Sequence, residues 1–140
     1  MIYIGIDCGV HTGVAIWNSV ERRFEGIYTT VLYKALLDVL SLRQNGQELF
    51  VVFEDARRRK WLPREKSISE QRGKMMGAGS VRRDSAIWEE FCSGEGIPFA
   101  AQAPSKGMTK WSAEAFAAIT GYKGKTSNHA RDAALLVFGR

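Results

Sequence analysis

The chain of 140 residues has the size of one domain, and its composition, 45% hydrophobic and 25% charged, is that of a globular protein. Two cysteines are too few for a disulfide scaffold or a cysteine-rich zinc module. No apolar run approaches the ~20 residues needed to cross a membrane, and no basic segment followed by a long apolar stretch opens the sequence. We therefore expect a single cytoplasmic domain over residues 1–140, with no membrane partner.

The net charge of +5 comes from one central stretch of the sequence. Between Asp55 and Asp84, ten cations and four anions give a net charge of +6, and the rest of the chain sums to −1. A localised positive field is typical of proteins that bind a polyanion such as nucleic acid, although a solvated helix face and loop is the alternative. Four consecutive cations beside a tryptophan favour nucleic acid. The candidate nucleic-acid contacts are Arg57, Arg58, Arg59, Lys60, Trp61, Arg64, Lys66, Arg72, Lys74, Arg82 and Arg83.

Three strands are expected at the start of the chain. Alternating apolar residues predict a first strand that ends near Asp7, and a glycine-containing turn leads into a second strand over 13–18. A third strand is expected over 23–30. One face of this third strand is predicted to carry Phe24, Gly26 and Tyr28.

The middle of the chain predicts two helices on either side of a buried strand. Apolar residues at helical spacing indicate a helix over 31–44, and the apolar run 49–55 is typical of a strand buried on both faces. The basic stretch is expected to form a loop through Pro63. A helix is then predicted from about Ser67 to near Gly94.

A short strand over 97–101 and two helical segments complete the predicted elements. The first segment spans 109–120, and the last helix begins at Ser127 or Asn128, which are both good N-caps. The inward residues are expected to be Trp111, Ala115, Ala118 and Ile119 in the former, and Ala130, Ala133, Ala134, Val137 and Phe138 in the latter. The order β-β-β-α-β-α-β-α predicts an α/β fold with a mixed five-stranded sheet and helices on both faces.

Two carboxylates are expected at one edge of this sheet. Asp7 ends the first strand and Glu54 ends the strand that follows the first helix. An unpaired carboxylate directly after a buried run is costly, and the carboxyl ends of parallel strands lie together at the edge where α/β folds place their sites. Asp55 follows Glu54, but the two-residue period of a strand directs it to the opposite face, so it is the weaker candidate.

The last helix adds an imidazole and a third carboxylate. His129 and Asp132 are three residues apart and therefore share a helix face. An oxygen-rich set of this kind suits Mg²⁺ or Mn²⁺ rather than zinc, and two such ions ~3.5–4 Å apart activate a water and stabilise the leaving oxygen of a phosphodiester. Each residue also has a structural interpretation: a turn cap for Asp7, an ion pair with Arg57 or Arg58 for Glu54, a helix cap for Asp132 and a surface position for His129.

Together these residues resemble the RuvC branch of the RNase H-like nucleases. The hairpin 6–15 carries the pattern Asp-x-Gly-x-x-x-Gly from Asp7 to Gly13, Glu54 ends a strand, and His129-Ala-Arg-Asp132 matches the His-x-x-Asp pair of a late helix. The resemblance implies an RNase H-like fold and a crossover-junction (Holliday junction) resolvase, an Mg²⁺-dependent endodeoxyribonuclease of DNA recombination and repair that acts on branched DNA. The implied catalytic, metal-binding set is Asp7, Glu54, His129 and Asp132, with two Mg²⁺ ions for which Mn²⁺ substitutes.

This chemistry predicts a homodimer. Resolving a four-way junction takes two symmetric incisions, each chain carries one predicted site, and a two-fold dimer matches the symmetry of the junction. The surface expected to mediate it is the helical region from Ser67 to Phe91. There, small residues and adaptable methionines occur together: Gly73, Met75, Met76, Gly77, Ala78 and Gly79.

Two other functions remain open. A YqgF-like RNase H-fold nuclease acting on RNA shares the hairpin and the late aspartate, but Glu54 argues against it. A branched-DNA binding module without activity is the non-enzyme alternative, although all four candidate positions hold capable ligands. Nucleotide hydrolysis is not expected, because Gly124-Lys125-Thr126 is similar to a P-loop ending but Ile119 stands where that pattern needs glycine. We therefore expect no nucleotide cofactor.

Overall fold

A computed structural model describes residues 1–59, 67–105 and 110–140, without the side chains of Gln71 and Lys74. The α/β class, the mixed five-stranded sheet and the two helical segments after the last strand are confirmed. The elements are β1 (Ile2–Asp7), β2 (Thr12–Asn18), β3 (Arg23–Thr30), α1 (Leu32–Gln44), β4 (Leu49–Glu54), a 3₁₀ turn (Ala56–Arg58), α2 (Ile68–Glu95), β5 (Phe99–Gln102), α3 (Ala113–Thr120) and α4 (Asn128–Leu135). The expected loop through Pro63 and the expected helix start at 109 lie partly outside the described residues.

The sheet has the strand order β3-β2-β1-β4-β5. β1 pairs antiparallel with β2 and parallel with β4, and β4 pairs parallel with β5. In the β1–β4 register, Ile6 is the partner of Phe53. Asp7 and Glu54 therefore occupy the next position on two adjacent parallel strands, at the carboxyl edge of the sheet.

Helices cover both faces of the sheet because each strand alternates two apolar sets. Ile2, Ile4 and Ile6 point to one face, where they pack with α1 and with Trp88 of α2. Residues of the opposite face, such as Val52, pack against α3 and α4. Fully burying a large apolar side chain contributes roughly 1.5–3 kcal/mol, so these two layers supply most of the driving force for folding.

The predicted face of β3 is wrong. The pairing of β3 with β2 skips one residue, Glu25, which forms a β-bulge. Because the bulge shifts the alternation by one position, Phe24 and Tyr28 lie on opposite faces of the sheet. Phe24 and Ile27 instead share the face that packs against α3 and α4.

The predicted inward face of the helical segment 109–120 is also wrong in part. The helix begins only at Ala113, after Ser112, whose hydroxyl accepts the N–H of Ala115 and caps the first turn. Its buried residue is Phe116, which packs against the ring of Phe24. Ala118 and Ile119 are exposed, the latter by 53%.

The helix α2 starts and ends where it was expected, with Ser67 as its N-cap. Its 28 residues span about 42 Å at 1.5 Å per residue. Every described side chain from 67 to 80 is exposed, and packing on the sheet begins only near Val81. The first half of α2 thus extends beyond the body of the domain. In the described part of the chain, no helix is both long and apolar enough to cross a membrane.

Candidate active site

A cavity of about 310 Å³ opens at the carboxyl edge of β1 and β4. All four residues of the predicted catalytic set contribute to its walls. The structure therefore brings together strand ends near the start and middle of the chain and a helix near its end. The wall residues are Asp7, Cys8, Glu54, Arg59, Ser105, Lys110, His129 and Asp132.

Local structure fixes the direction of each side chain. Asp7 and Glu54 follow Ile6 and Phe53, which point to the α1–α2 face, so the alternation of the strands turns both carboxylates toward α4. The first turn of α4 is held by the hydroxyl of Ser127, which accepts the N–H of Ala130 at 3.1 Å. Ser127, and not Asp132, is therefore the cap of this helix.

A hydrogen bond joins the helix to the strand. His129 Nδ1 lies 2.8 Å from Asp7 Oδ2. Because an ionised carboxylate only accepts hydrogen bonds, Nδ1 is the donor in this contact, which leaves Nε2 as the ring nitrogen available to other partners. This contact also orients the imidazole relative to the cavity.

The acidic side chains of the cavity disfavour one another's ionised forms. Burial raises the pKa of Asp7, the negative charge of Asp132 raises it further, and the hydrogen bond from His129 opposes the shift. The pKa of Glu54 is raised by burial and by the charges of Asp7 and Asp132, while the Arg59 guanidinium acts in the opposite direction. Asp7, Glu54 and Asp132 therefore act on one another as like charges at the same cavity.

One cation at this cavity escaped the sequence analysis. Lys110 Nζ lies 3.9 Å from Asp132 Oδ2, with its side chain largely exposed. A single lysine just before a predicted helix gives no pattern from which its place at the cavity can be inferred. Lys110 and Arg59 together add positive charge to the walls of an otherwise acidic cavity.

Asp55 takes the ion pair that Glu54 was considered for. Asp55 is buried, and its carboxylate accepts two hydrogen bonds from the Arg57 guanidinium, both of 2.9 Å, and lies 3.4 Å from Arg58 Nε. Hydrogen bonding with Arg57 lowers the pKa of Asp55, against the effect of burial. Arg57 also pairs with Glu89. The structural interpretation of Glu54 as a partner of these arginines therefore does not hold.

The remaining nucleic-acid candidates divide into three groups. Arg57 is held by two carboxylates, Arg58 is mostly exposed, and Arg59 is at the cavity. On α2, the side chains of Arg72, Arg82 and Arg83 are exposed. The other candidates lie outside the described residues: Lys60, Trp61, Arg64, Lys66 and the side chain of Lys74.

Arg131 is a second residue that the sequence analysis missed. It is buried in α4 and directs its guanidinium to oxygens of Trp111, Thr126 and Asn128. These bonds tie the segments that precede α3 and α4 to each other. An arginine beside Asp132 in the sequence would be interpreted as a solvated cation, because periodicity alone does not show that both flanking segments fold over it.

The donor set of the cavity fits a hard divalent cation by its chemistry, since it offers three carboxylates and one imidazole. Burial raises the pKa values of Asp7 and Glu54, repulsion between the carboxylates adds to this, and a bound cation would relieve that repulsion. Within the described ranges, however, no three His, Cys, Asp or Glu side chains are already grouped closely enough to hold an ion.

No protein-family model matches the chain, and no curated protein matches its sequence.

Proposed function

We propose that this protein is a metal-dependent endonuclease of the RuvC-like type with an RNase H-like fold, and that it cleaves branched DNA as a Holliday junction resolvase. One observation carries the proposal. Asp7, Glu54, His129 and Asp132, from two strand ends and a helix, converge on one cavity at the carboxyl edge of a mixed sheet. The sequence resemblance to the RuvC branch rests on the same four residues.

The four residues divide between two roles in the proposed reaction. Divalent cations, two Mg²⁺ or Mn²⁺ ions in this proposal, supply activation of a water and charge neutralisation at the phosphodiester. Asp7, Glu54 and Asp132 would hold these ions with carboxylate oxygens. His129 offers Nε2 as a further ligand or proton acceptor while Nδ1 remains bonded to Asp7.

Charge around the cavity supports a nucleic-acid substrate. The chain has a net charge of +5, although its candidate site is acidic. Exposed arginines on α2 lie on a surface that can contact phosphates, which are the main source of affinity for nucleic acids. Lys110 at the rim is placed to receive the phosphate nearest the carboxylates.

We extend the proposal to a homodimer that forms through the first half of α2. Met75 and Met76 are 74% and 80% exposed, and Ile68 is 70% exposed. Helical spacing places Ile68 and Met75 on the side of α2 opposite Trp88, which faces the core. These methionines are therefore not core residues, and exposed apolar side chains on a projecting helix suit contact with a second copy.

The test is cleavage of synthetic four-way junctions with and without Mg²⁺. We expect cleavage with Mg²⁺ by the wild-type protein, none in EDTA, and none with Asp7→Asn, which is expected to keep junction binding. Linear duplex DNA and structured RNA serve as comparison substrates. Cleavage of RNA alone would favour the YqgF-like alternative, and junction binding without cleavage under any cation would favour the inactive binding module.

A further inference from the structure

Two glycines on neighbouring strands lie directly beneath α4. A Cβ atom built on Gly13 would be 2.0 Å from the carbonyl oxygen of His129, and one built on Gly5 would be 2.0 Å from that of Ala133. Non-bonded carbon and oxygen atoms approach to only about 3.3 Å even in close C–H···O contacts. Since the clashing atoms are backbone, no rotamer change relieves the overlap, and neither position accepts a side chain while α4 keeps its place.

The helix, rather than the conformation of the strands, requires glycine at these positions. Neither Gly5 nor Gly13 has a positive φ angle. The carbonyl groups of His129 and Ala133 are four residues apart, about one turn of the helix. α4 therefore contacts the sheet backbone at two successive turns along a single line.

This contact lies at the candidate active site. Gly13 is the partner of Asp7 in the β1–β2 register, and His129 is both the residue whose carbonyl meets Gly13 and the residue whose imidazole bonds to Asp7. A shift of α4 away from the sheet would carry His129 and Asp132 away from the two strand-end carboxylates.

We infer that Gly5 and Gly13 are positioning residues, which set the distance of His129 and Asp132 from Asp7 and Glu54 by letting α4 lie on the backbone of β1 and β2. The catalytic consequence rests on the proposed function. The two glycines of the Asp-x-Gly-x-x-x-Gly hairpin therefore differ, because only Gly13 is in contact with α4. Gly9 belongs to the same pattern, but a Cβ built there would be 3.8 Å from its nearest neighbour, the His11 carbonyl oxygen, and the φ angle of Gly9 is not positive.

The experiment compares Gly13→Ala and Gly5→Ala with two matched controls, Gly9→Ala and Gly26→Ala. A Cβ built on Gly26 of β3 has no neighbour closer than 3.8 Å. Four quantities are measured on each protein: thermal unfolding, Mn²⁺ affinity by electron paramagnetic resonance, junction affinity by fluorescence anisotropy without divalent cations, and the single-turnover cleavage rate. Ala130→Val is a second route to displacing α4, because it enlarges a buried side chain of this helix that packs against the sheet.

For Gly13→Ala and Gly5→Ala we expect folded protein at the assay temperature and wild-type junction affinity. We expect Mn²⁺ binding to be about 10–100-fold weaker, as when other residues that support metal ligands are lost. The cleavage rate is expected to fall about 100-fold, the cost of roughly 1 Å of misplacement, and to recover in part at higher Mn²⁺. Gly9→Ala and Gly26→Ala are expected to match the wild type in all four quantities.

Two results would overturn the inference. The first is wild-type Mn²⁺ affinity and cleavage in folded Gly13→Ala or, if that variant does not fold, in Ala130→Val. The second is a loss in Gly9→Ala equal to that in Gly13→Ala. A wild-type protein that neither binds Mn²⁺ nor cleaves any substrate would contradict the proposed function instead, so the two failures are distinguishable.

Discussion

Replacing Asp7 by asparagine should make the metal-free protein more stable while it removes cleavage. The pKa of Asp7 is raised above its ordinary value of 3.8, so its ionised form costs folding free energy at neutral pH. Asparagine removes this charge and the repulsion from Asp132, and its carbonyl oxygen still accepts the Nδ1–H of His129. Stabilising substitutions of this kind typically contribute about 0.5–2 kcal/mol, which for a chain of this size raises the melting temperature by about 2–8 °C.

The pH dependence of this difference has a definite sign. Because the folded protein holds the Asp7 proton more tightly than the unfolded chain, wild-type stability falls as the pH rises from the unfolded value near 3.8 through the folded pKa. The asparagine of the variant has no such proton. The difference in stability between the variant and the wild type should therefore disappear at low pH and reach its full size above the folded pKa of Asp7.

Divalent cations should make the wild type more stable than Asp7→Asn. A ligand that binds only the folded state at 100 times its dissociation constant stabilises that state by about 2.7 kcal/mol. Mg²⁺ or Mn²⁺ should therefore raise the melting temperature of the wild type and leave that of Asp7→Asn nearly unchanged. Glu90→Gln, at an exposed position of α2, is the control for removal of an acidic charge.

The measurement is thermal unfolding followed by circular dichroism from pH 3 to 8, in EDTA and in millimolar Mg²⁺ or Mn²⁺. A variant less stable than the wild type in EDTA at pH 7 would refute the electrostatic reasoning. A wild-type melting temperature that does not respond to either cation would refute the metal site itself, independently of any substrate.

Three further predictions concern the surface and the buried ion pair. The double variant Arg82→Ala, Arg83→Ala should lower the slope of log K against log salt for duplex DNA by about 1.8. The control Lys34→Glu should leave this slope unchanged. An unchanged slope in the double variant would exclude α2 from the DNA interface. Met76→Glu should convert the proposed dimer to a monomer near 15.6 kDa, measured by light scattering, whereas Val20→Glu, at an equally exposed residue, should not. A wild-type protein that is monomeric both with and without junction DNA would contradict the dimer. Asp55→Asn should cost about 1–3 kcal/mol at pH 7 by chemical denaturation, because it removes the buried negative charge and one of the two oxygens that accept hydrogen bonds from Arg57. Since the pKa of Asp55 is lowered on folding, this cost should vanish as the pH falls through the folded pKa, and a cost that persists in acid would show that the charge is not responsible.

The elements that position the site were predictable where side-chain pattern and packing agree. Strict alternation in β1 and the buried alanine face of α4 each allow one orientation, and Ser127 marks the start of the helix by a local hydrogen bond. Strand direction then brings Asp7 and Glu54 to one edge of the sheet, and the buried face of α4 turns His129 and Asp132 toward that edge. Local pattern was enough because each of these residues is placed by its own element.

Features that depend on contacts between distant segments were not predictable. The bulge at Glu25 inserts one residue without a change in composition, and it reverses the face of every later residue in β3. Phe116 is buried because α3 starts at the Ser112 cap and meets Phe24. Lys110 reaches the cavity because its segment folds over α4, where the Arg131 guanidinium holds the neighbouring Trp111 carbonyl.

The adjacent carboxylates Glu54 and Asp55 have different surroundings, and only Glu54 lines the cavity. The end of β4 turns them to opposite faces, and the 3₁₀ turn that follows brings Arg57 to Asp55 through a main-chain N–H and a two-pronged guanidinium contact. That pairing lowers the pKa of Asp55, whereas the pKa of Glu54 is raised among the acidic residues of the cavity. Asp55 pairs with Arg57 and Arg58 on one side of the strand end, and Glu54 lines the cavity on the other. Burial and the like charges of Asp7 and Asp132 raise the pKa of Glu54 while Arg59 opposes them, so a bound divalent cation would act on Glu54 in the same direction as Arg59.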